Sequence, residues 1–438
     1  MRRIERPPGV ENRYDYLKVL DNLVALKKFP LVLEMDQSTY PYWEKWKYLA
    51  KEWNYDAKKL WFLVKSFRGA HREINFHGLG GTDLHLNTPS IVQEMLHELD
   101  LNLGGSLHAS NLIPEEEKQR YLVSSLMEEA IASSQLEGAA TTRKLAKEML
   151  ESNRKPKNPS ERMIYNNYLV MQWIVKHRQV TMTPELILEI HRIITRNTMS
   201  QKAEEGAFRK EDDIHIVDVQ TGAIVHTPPG HKQLNKLIRE FCAFANDEKK
   251  ESFFLHPISK AIIIHFLMGY IHPFTDGNGR TARALFYWYL IKKGYWLIEY
   301  MSVSRIILNS KAQYARAYQH TELDENDLTY FTLYNLKAIN KSLEELKQYI
   351  GRKNAEKKNL LSLLRDTDYN DRQIAILQEI LADKKISFTV HEIETKFDVS
   401  NQTARNDLNH LVGKGILQTR KSGKTIQFLI TKDAIKKI

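Results

Sequence analysis

The sequence predicts a mainly α protein with one short β-hairpin in its middle and a small helix-and-strand unit at its end. Three observations predict it. Apolar residues recur at helical spacing through MIYNNYLVMQWIVKH, PELILEIHRIITRN, HKQLNKLIREFCAFAN, PISKAIIIHFLMGYIH and GRTARALFYWYLIKKG. One segment, IHIVDVQTGAIVHTPP, alternates instead around Thr221-Gly222 and reads as two strands joined by a tight turn. After residue 369 the helices shorten and end in two strand-like runs around Ser422-Gly423.

At 438 residues the chain exceeds the ~250 to 300 at which one core stops growing, so two or three domains are expected. With 42% hydrophobic, 27% charged and 10% aromatic residues, it can bury large cores and is neither disordered nor collagen-like. Mean hydropathy of −0.47 suits a soluble protein. Cys242 stands alone, which excludes an intrachain disulfide and a cysteine-built zinc site. MRRIERPPGVENRY has no apolar run of ~7 to 15 residues behind its arginines, so no signal peptide is read. The stretch AIIIHFLMGYIHPF falls short of the ~18 to 20 residues that span a bilayer, so it is expected to be a buried helix. A cytoplasmic protein that does not engage membranes is the expectation.

Residues 1–110 are rich in helix formers and aromatics, with Trp43, Trp46, Trp53 and Trp61 spaced to stripe one or two helices, for core packing or for a partner. The glycine-punctuated HGLGGTDLHLN over 77–87 lacks the lysine of a phosphate-binding loop and is expected to join helices. From Pro114 a helix is announced by Glu115, Glu116 and Glu117, which suit the positive end of a helix dipole, and it should run to Leu136. Residues 346–368 are charged, lack a clear apolar face and read as a linker helix.

The net charge is 64 − 54 = +10, and residues 399–438 hold eight Lys/Arg against two Asp/Glu, or +6 of it. In 369–438, QIAILQEILA, TVHEIETKFDVS and NQTARNDLNHLVGKG read as three helices with a turn near Val399-Ser400, followed by two strands. This is a winged helix-turn-helix. Its second helix would offer Asn401, Gln402, Thr403 and Arg405 to a DNA groove, while Arg420, Lys421 and Lys424 would meet phosphates. Protein contact or dimerisation is the alternative use of such a unit.

The chemistry concentrates in His272-Pro273-Phe274-Thr275-Asp276-Gly277-Asn278-Gly279-Arg280-Thr281-Ala282-Arg283. An apolar helix ends at a histidine, proline stops it, and a new helix starts after a Gly-Asn-Gly turn. Glycines let backbone amides converge on phosphate oxygens at a helix N-terminus. Arg280 and Arg283, one turn apart, share a helix face and could grip phosphates. Asp276 in this cationic setting suits a cation such as Mg²⁺ between phosphates. His272 is a base whose ordinary pKa of ~6.5 lies near neutrality. Phosphoryl or nucleotidyl transfer follows.

The same stretch matches HxFx(D/E)GNGRxxR at every defined position, so the chain resembles the Fic family over roughly residues 111–345. The fold this implies is a Fic-type helical bundle with a small β-hairpin flap, between the N-terminal helical region and the winged-helix domain. The implied activity is transfer of AMP from ATP to a Ser, Thr or Tyr hydroxyl of a protein, the chain itself included. By position, His272 would deprotonate the hydroxyl and Asp276 would hold Mg²⁺ between the α- and β-phosphates. Gly277, Asn278 and Gly279 would form the anion hole, with Arg280 adding charge and Arg283 holding the γ-phosphate. Phe274 would anchor the loop. The hairpin, about Arg209 to Thr227, would be the flap that pairs with a target's backbone through Ile214, His215 and Ile216.

Upstream, Ser133-Ser134-Gln135-Leu136-Glu137-Gly138 resembles the family's inhibitory motif (S/T)xxxE(G/N). Read alone it is a helix C-terminus with a capping glycine. The resemblance implies that Glu137 pairs with Arg283, supported by Ser133, and blocks the γ-phosphate site, within an inhibitory helix at about 114–137. Whether Glu137 also supports removal of AMP stays open. Asn309 and Tyr314 lie where they could reach an adenine pocket, and Tyr314 is equally a core residue. His265 reads as a packing histidine. Two other readings remain: a nucleotide-sensing, DNA-binding transcriptional regulator, and an enzyme with another nucleotide or phosphate donor. The oligomeric state is open, a homodimer included.

Overall fold

The computed structural model describes residues 4–9, 15–68, 72–74, 76, 84–104, 113, 115–218, 221–248, 251–363, 369–382, 386–422, 425–431 and 434. It is mainly α, with a winged helix at its C-terminal end. Four helices open the chain, α1 (Tyr16–Ala25), α2 (Phe29–Thr39), α3 (Trp43–Glu52) and α4 (Ala57–Arg68). Trp43, Trp46 and Trp61 are buried and Trp53 is half-buried, so the tryptophan stripe is core. The expected loop over 77–87 ends differently. Strand β2 (Leu84–Leu86) pairs antiparallel with β1 (Arg72–Ile74), because Leu84 and Leu86 alternate inward around His85.

The middle of the chain is helical: α5 (Ser90–Leu103), α6 (Glu115–Leu136), α7 (Arg143–Glu151), α8 (Pro159–Lys176), α9 (Pro184–Thr195), α10 (Leu234–Ala245), α11 (Pro257–Ile271), α12 (Asn278–Lys292), α13 (Val303–Leu308), α14 (Lys311–Leu323) and α15 (Thr329–Leu363). Caps explain several starts. Thr183 accepts from the Leu186 amide ahead of Pro184, and Asn158 accepts from the Glu161 amide ahead of Pro159. Helix α11 is apolar nearly all round and buried on all sides. Among the described residues no helix is long and apolar enough to cross a membrane. The segment expected as a separate linker helix is the second half of α15, which runs unbroken for 35 residues to Leu363; residues 364–368 lie outside the described residues.

One hydrophobic core runs from Val19 to Ile350, so the first four helices share it with the helical middle. A buried polar seam joins them. Lys65 donates to Asp324 at 3.0 Å, Tyr40 to Asp327 at 2.6 Å, and Arg68 to both Asp36 and Tyr330 at 2.7 Å.

The hairpin pairs β3 (Ile216–Val217) with β4 (Ile224–His226). Ile214 and His215 precede the strand instead of belonging to it, since Asp212 turns back to receive hydrogen bonds from Arg209 and His231. The C-terminal unit has its own core, including Ile376, Leu377, Ile393, Leu408 and Phe428. Its elements are α16 (Asp371–Ala382), β5 (Ser387–Thr389), α17 (Val390–Phe397), α18 (Asn401–Gly413), β6 (Leu417–Ser422) and β7 (Thr425–Ile430), with sheet order β5-β7-β6. This is the expected winged helix with one further strand, β5.

Candidate active site

Helices α11 and α12 meet at the loop 272–277, which the sequence shapes locally. His272 ends α11 in the left-handed conformation, φ 47°, and the obligatory φ of Pro273 prevents the helix from continuing. Gly277 precedes α12 with φ 84°, a region side chains avoid, and a Cβ there would fall 2.9 Å from Thr195. The Asn278 side chain clamps the loop from within, accepting from the Phe274 amide at 2.9 Å and donating to the Phe274 carbonyl at 2.8 Å. Both ends of its amide group are therefore engaged by the loop, and its backbone N–H lies at the start of α12.

His272 is half-buried, and its Nδ1 stands 3.2 Å from the Gly269 carbonyl. A carbonyl only accepts, so Nδ1 carries the proton and Nε2 holds the lone pair. Burial first, opposed by that carbonyl, pulls the imidazole down to about 4. The ring is a neutral base at neutral pH, with a much lower pKa than the ordinary value suggests.

Asp276 is about half exposed, its side chain at 53%. One oxygen accepts from the Gly277 amide at 2.5 Å and the other from Arg280 at 3.3 Å. Among the described residues no group of three or more acidic, His or Cys side chains gathers into a metal cage. A lone, accessible carboxylate fits Mg²⁺ only when the ion brings phosphates and water as its other ligands. Arg280 points inward, wholly buried, reaching the Ile194 carbonyl at 3.4 Å with Nε unpartnered. Burial lowers its pKa.

Arg283 faces α6. Its Nε donates to Ser133 Oγ at 2.9 Å, and its Nη2 donates to the Ser133 carbonyl at 2.9 Å and to Glu137 Oε1 at 2.8 Å. The Glu137 carboxylate lies over the first turn of α12, so close to Gly279 that a Cβ there would fall 2.1 Å from Oε1. A carboxylate thus takes the anion position at a helix N-terminus. Gly138, φ 94°, lets the chain leave α6 just after it.

Two residues the sequence left unassigned build this loop. His191 of α9 accepts from the Gly206 amide through Nδ1 at 3.0 Å and reaches the Asp276 carbonyl through Nε2 at 2.8 Å, while its ring stacks on Phe274 at 3.6 Å and 3°. Arg209 donates through Nε to the His272 carbonyl at 3.0 Å, to the Glu211 carbonyl and to Asp212, and it also bonds the Pro229 carbonyl. It fastens the hairpin's base to the loop. His226 ties the other side of the hairpin to the Tyr270 carbonyl and to Glu322, both at 2.8 Å. The only sequence signal for His191 was a polar residue on an apolar helix face, and such residues are usually packing.

Tyr314 bonds His265 at 2.9 Å inside the aromatic core, so His265 packs as expected and Tyr314 is a core residue. Asn309 instead borders a cavity of about 460 Å³ lined also by Arg143, Arg305 and Arg352.

In the C-terminal unit, Asn401, Gln402 and Arg405 are exposed on α18, Thr403 is half-buried, and Arg420 and Lys421 are exposed on β6. Lys424 lies outside the described residues. Ser400 caps α18 by accepting from the Thr403 amide at 3.2 Å.

Residues 181–290, which contain the whole loop, match the Fic/DOC family model. The chain carries a Fic domain. Residues 372–425 match a DeoR-like helix-turn-helix domain. Among curated relatives, Protein adenylyltransferase Fic of Drosophila grimshawi is 34% identical over 137 residues, 30% of this chain and 26% of the relative. The Aedes aegypti protein of that name is 38% identical over 109 residues, 25% of this chain and 19% of the relative. The Drosophila virilis protein is 29% identical over 187 residues, 41% of this chain and 34% of the relative. The chain thus spans between about a fifth and a third of their length. A Fic family protein from Desulfovibrio desulfuricans superposes with TM-score 0.46 at 17% identity, covering 78% of this chain and 94% of that one.

Proposed function

We propose that the protein is a protein adenylyltransferase held in check by its own Glu137. The observation that carries the reading is the junction of α11 and α12. A neutral imidazole with a free Nε2 adjoins a helix N-terminus whose anion position is filled by a carboxylate on Arg283.

The ATP phosphates would take the place of the Glu137 carboxylate, on the backbone amides at the start of α12 and on Arg283. Mg²⁺ accompanying the nucleotide would be held by Asp276 and would neutralise phosphate charge. His272 Nε2 accepts the proton of the target hydroxyl as its oxygen attacks the α-phosphorus. The bond from that phosphorus to the bridging oxygen breaks, and pyrophosphate leaves with the electron pair. Buried Arg280 braces Asp276 and supplies positive charge from below. The hairpin, fixed at both ends by Arg209 and His226, offers an edge for the target's backbone. The residues of this site grip phosphates and none reads a base, so another nucleotide donor is the nearest variant of the reading. The DeoR-like match favours a second activity, DNA binding through α18 and the wing.

The test is transfer of α-labelled ATP to protein with Mg²⁺ by wild type, Glu137→Gly, and Glu137→Gly with His272→Ala. Label strongest in Glu137→Gly and absent from the double variant is expected. Equal label in the last two would defeat the proposal.

A further inference from the structure

The winged helix is held by more than chain connectivity. Helix α17 packs on α6 and on α7. Gln119 of α6 donates to Asp398 at 2.7 Å, and the Arg120 guanidinium stands 5.8 Å from the Phe397 ring. Tyr168 of α8 is pushed up to about 12, by burial first and then by the Asp398 charge. Asp398 itself closes α17 in the left-handed conformation, φ 50°, two residues before Ser400 caps α18. The turn that starts the candidate recognition helix is therefore the turn that touches α6.

Helix α6 carries both contacts. Its 22 residues span ~33 Å, with Gln119 in the second turn, Ser133 in the last, and Glu137 just beyond. Midway, buried Glu129 accepts from Tyr287 of α12 at 2.9 Å and from the Ser304 amide at 3.0 Å, which couples the helix to α12 between the two contacts. We infer that double-stranded DNA is an effector of the active site: seating a duplex on α18 draws the winged helix off α6 and releases Glu137 from Arg283. This rests on the reading of Glu137 as a brake. The sign follows from charge and place. The exposed Asn401, Gln402 and Arg405 begin three residues after Asp398, itself exposed, so a duplex in their reach brings its phosphates beside that carboxylate. Phosphates and the Asp398 carboxylate repel, so the docked pose and the DNA complex compete.

Linkage is reciprocal, which supplies a readout independent of AMP transfer. With the full chain and a pool of random-sequence duplex oligonucleotides at low salt, Glu137→Gly should bind DNA about 5-fold or more tighter than wild type. Gln119→Ala with Arg120→Ala, two changes at the surface of α6, should bind tightly whether or not Glu137→Gly is added. The same duplex should raise transfer of α-labelled ATP by wild type about 5-fold or more and leave Glu137→Gly unchanged. Equal DNA affinity of wild type and Glu137→Gly, a duplex that lowers transfer, or no DNA binding at all would each overturn the inference. If affinity shifts as stated while Glu137→Gly transfers no label, the linkage stands and the adenylyltransferase reading falls.

Discussion

Arg283 and Glu137 are 146 residues apart in the chain and 2.8 Å apart in space, with Ser133 completing the contact from the turn before. Arg283 is buried, so each donor it loses is left dry. Ser133→Ala removes the acceptor of Nε, and an unsatisfied buried donor costs about 1–3 kcal/mol. On the proposed reading the closed state bears that cost and a nucleotide-bound state would not, because there the guanidinium would turn to phosphate. Ser133→Ala should therefore raise basal transfer roughly tenfold, less than Glu137→Gly does. A rate equal to wild type in the α-labelled ATP assay would remove Ser133 from the latch.

The pH profile follows from His272. Its folded pKa of about 4 lies below the ordinary value of about 6.5, so the base is already neutral throughout the neutral range. Glu137 raises that pKa, and Glu137→Gly removes the raising charge. Transfer by Glu137→Gly should be flat between about pH 6 and 8 and fall only on the acid side, with a midpoint below the free-imidazole value. A kcat profile with its acid limb at or above about 6.5 would contradict the base assignment.

His191 contacts Gly206, Phe274 and the Asp276 carbonyl and so fixes the 272–277 loop from behind, a positioning residue for the proposed reaction. His191→Phe keeps a ring against Phe274 and loses the links to Gly206 and Asp276. In the Glu137→Gly background it should lower kcat by about 10-fold or more with little change in KM for the protein target, since Asp276 and the amides beside it lose their setting. His191→Gln should recover part of the loss if one donor is restored. Unchanged kcat in His191→Phe, with the melting temperature held, would reduce His191 to packing.

The shape of the 272–283 loop was legible because its parts are contiguous: one helix end, one turn and one helix start fall within those residues. The hairpin and α6 were legible by alternation and capping, although the first strand starts at Ile216, two residues later than the alternation suggested. His191 and Arg209 were not legible, because their partners lie 85 and 63 residues away and nothing local distinguishes them from core or surface residues. The sharing of one core by the first four helices was hidden for the same reason. Its ties, Lys65 to Asp324 and Arg68 to Tyr330, join residues 259 and 262 positions apart. The continuity of α15 was missed because its apolar residues thin out after Ile350, the last of the helix in the core, into the charged run GRKNAEKKN.

Four histidines, His191 and His265 buried and His272 and His320 half-buried, make the fold sensitive to acid. Burial comes first in lowering each, His191, His272 and His320 to about 4 and His265 to about 3. Unfolded, all four titrate near 6.5, so as pH falls the unfolded chain takes up protons before the folded one does. Their contribution is complete above about 6.5 and is lost as pH drops towards 4. The melting temperature should fall steadily across that window, and His320→Phe, which can keep the stack on Tyr42 at 3.8 Å, should flatten the slope. An unaltered slope in that variant would mean that other groups set the acid limit.

The seam between the first helices and the rest gives a last test. Asp36 accepts two hydrogen bonds from Arg68 on side chains that are 3% and 1% exposed. Asp36→Ala leaves a buried guanidinium facing an apolar methyl, and breaking such a pair costs about 3–5 kcal/mol. Arg68 also holds Tyr330 and the Pro41 carbonyl, and Tyr330 in turn donates to Asp324 at 2.8 Å, so the strain is carried into α15 and the loop before it. Urea unfolding of Asp36→Ala should shift to lower midpoint in one transition that includes the Fic domain, because residues 19–350 share one core. Asp36→Leu with Arg68→Met, which removes both charges and keeps volume, should recover most of the loss. A first transition confined to the N-terminal helices would show instead that the seam joins two separately stable bodies.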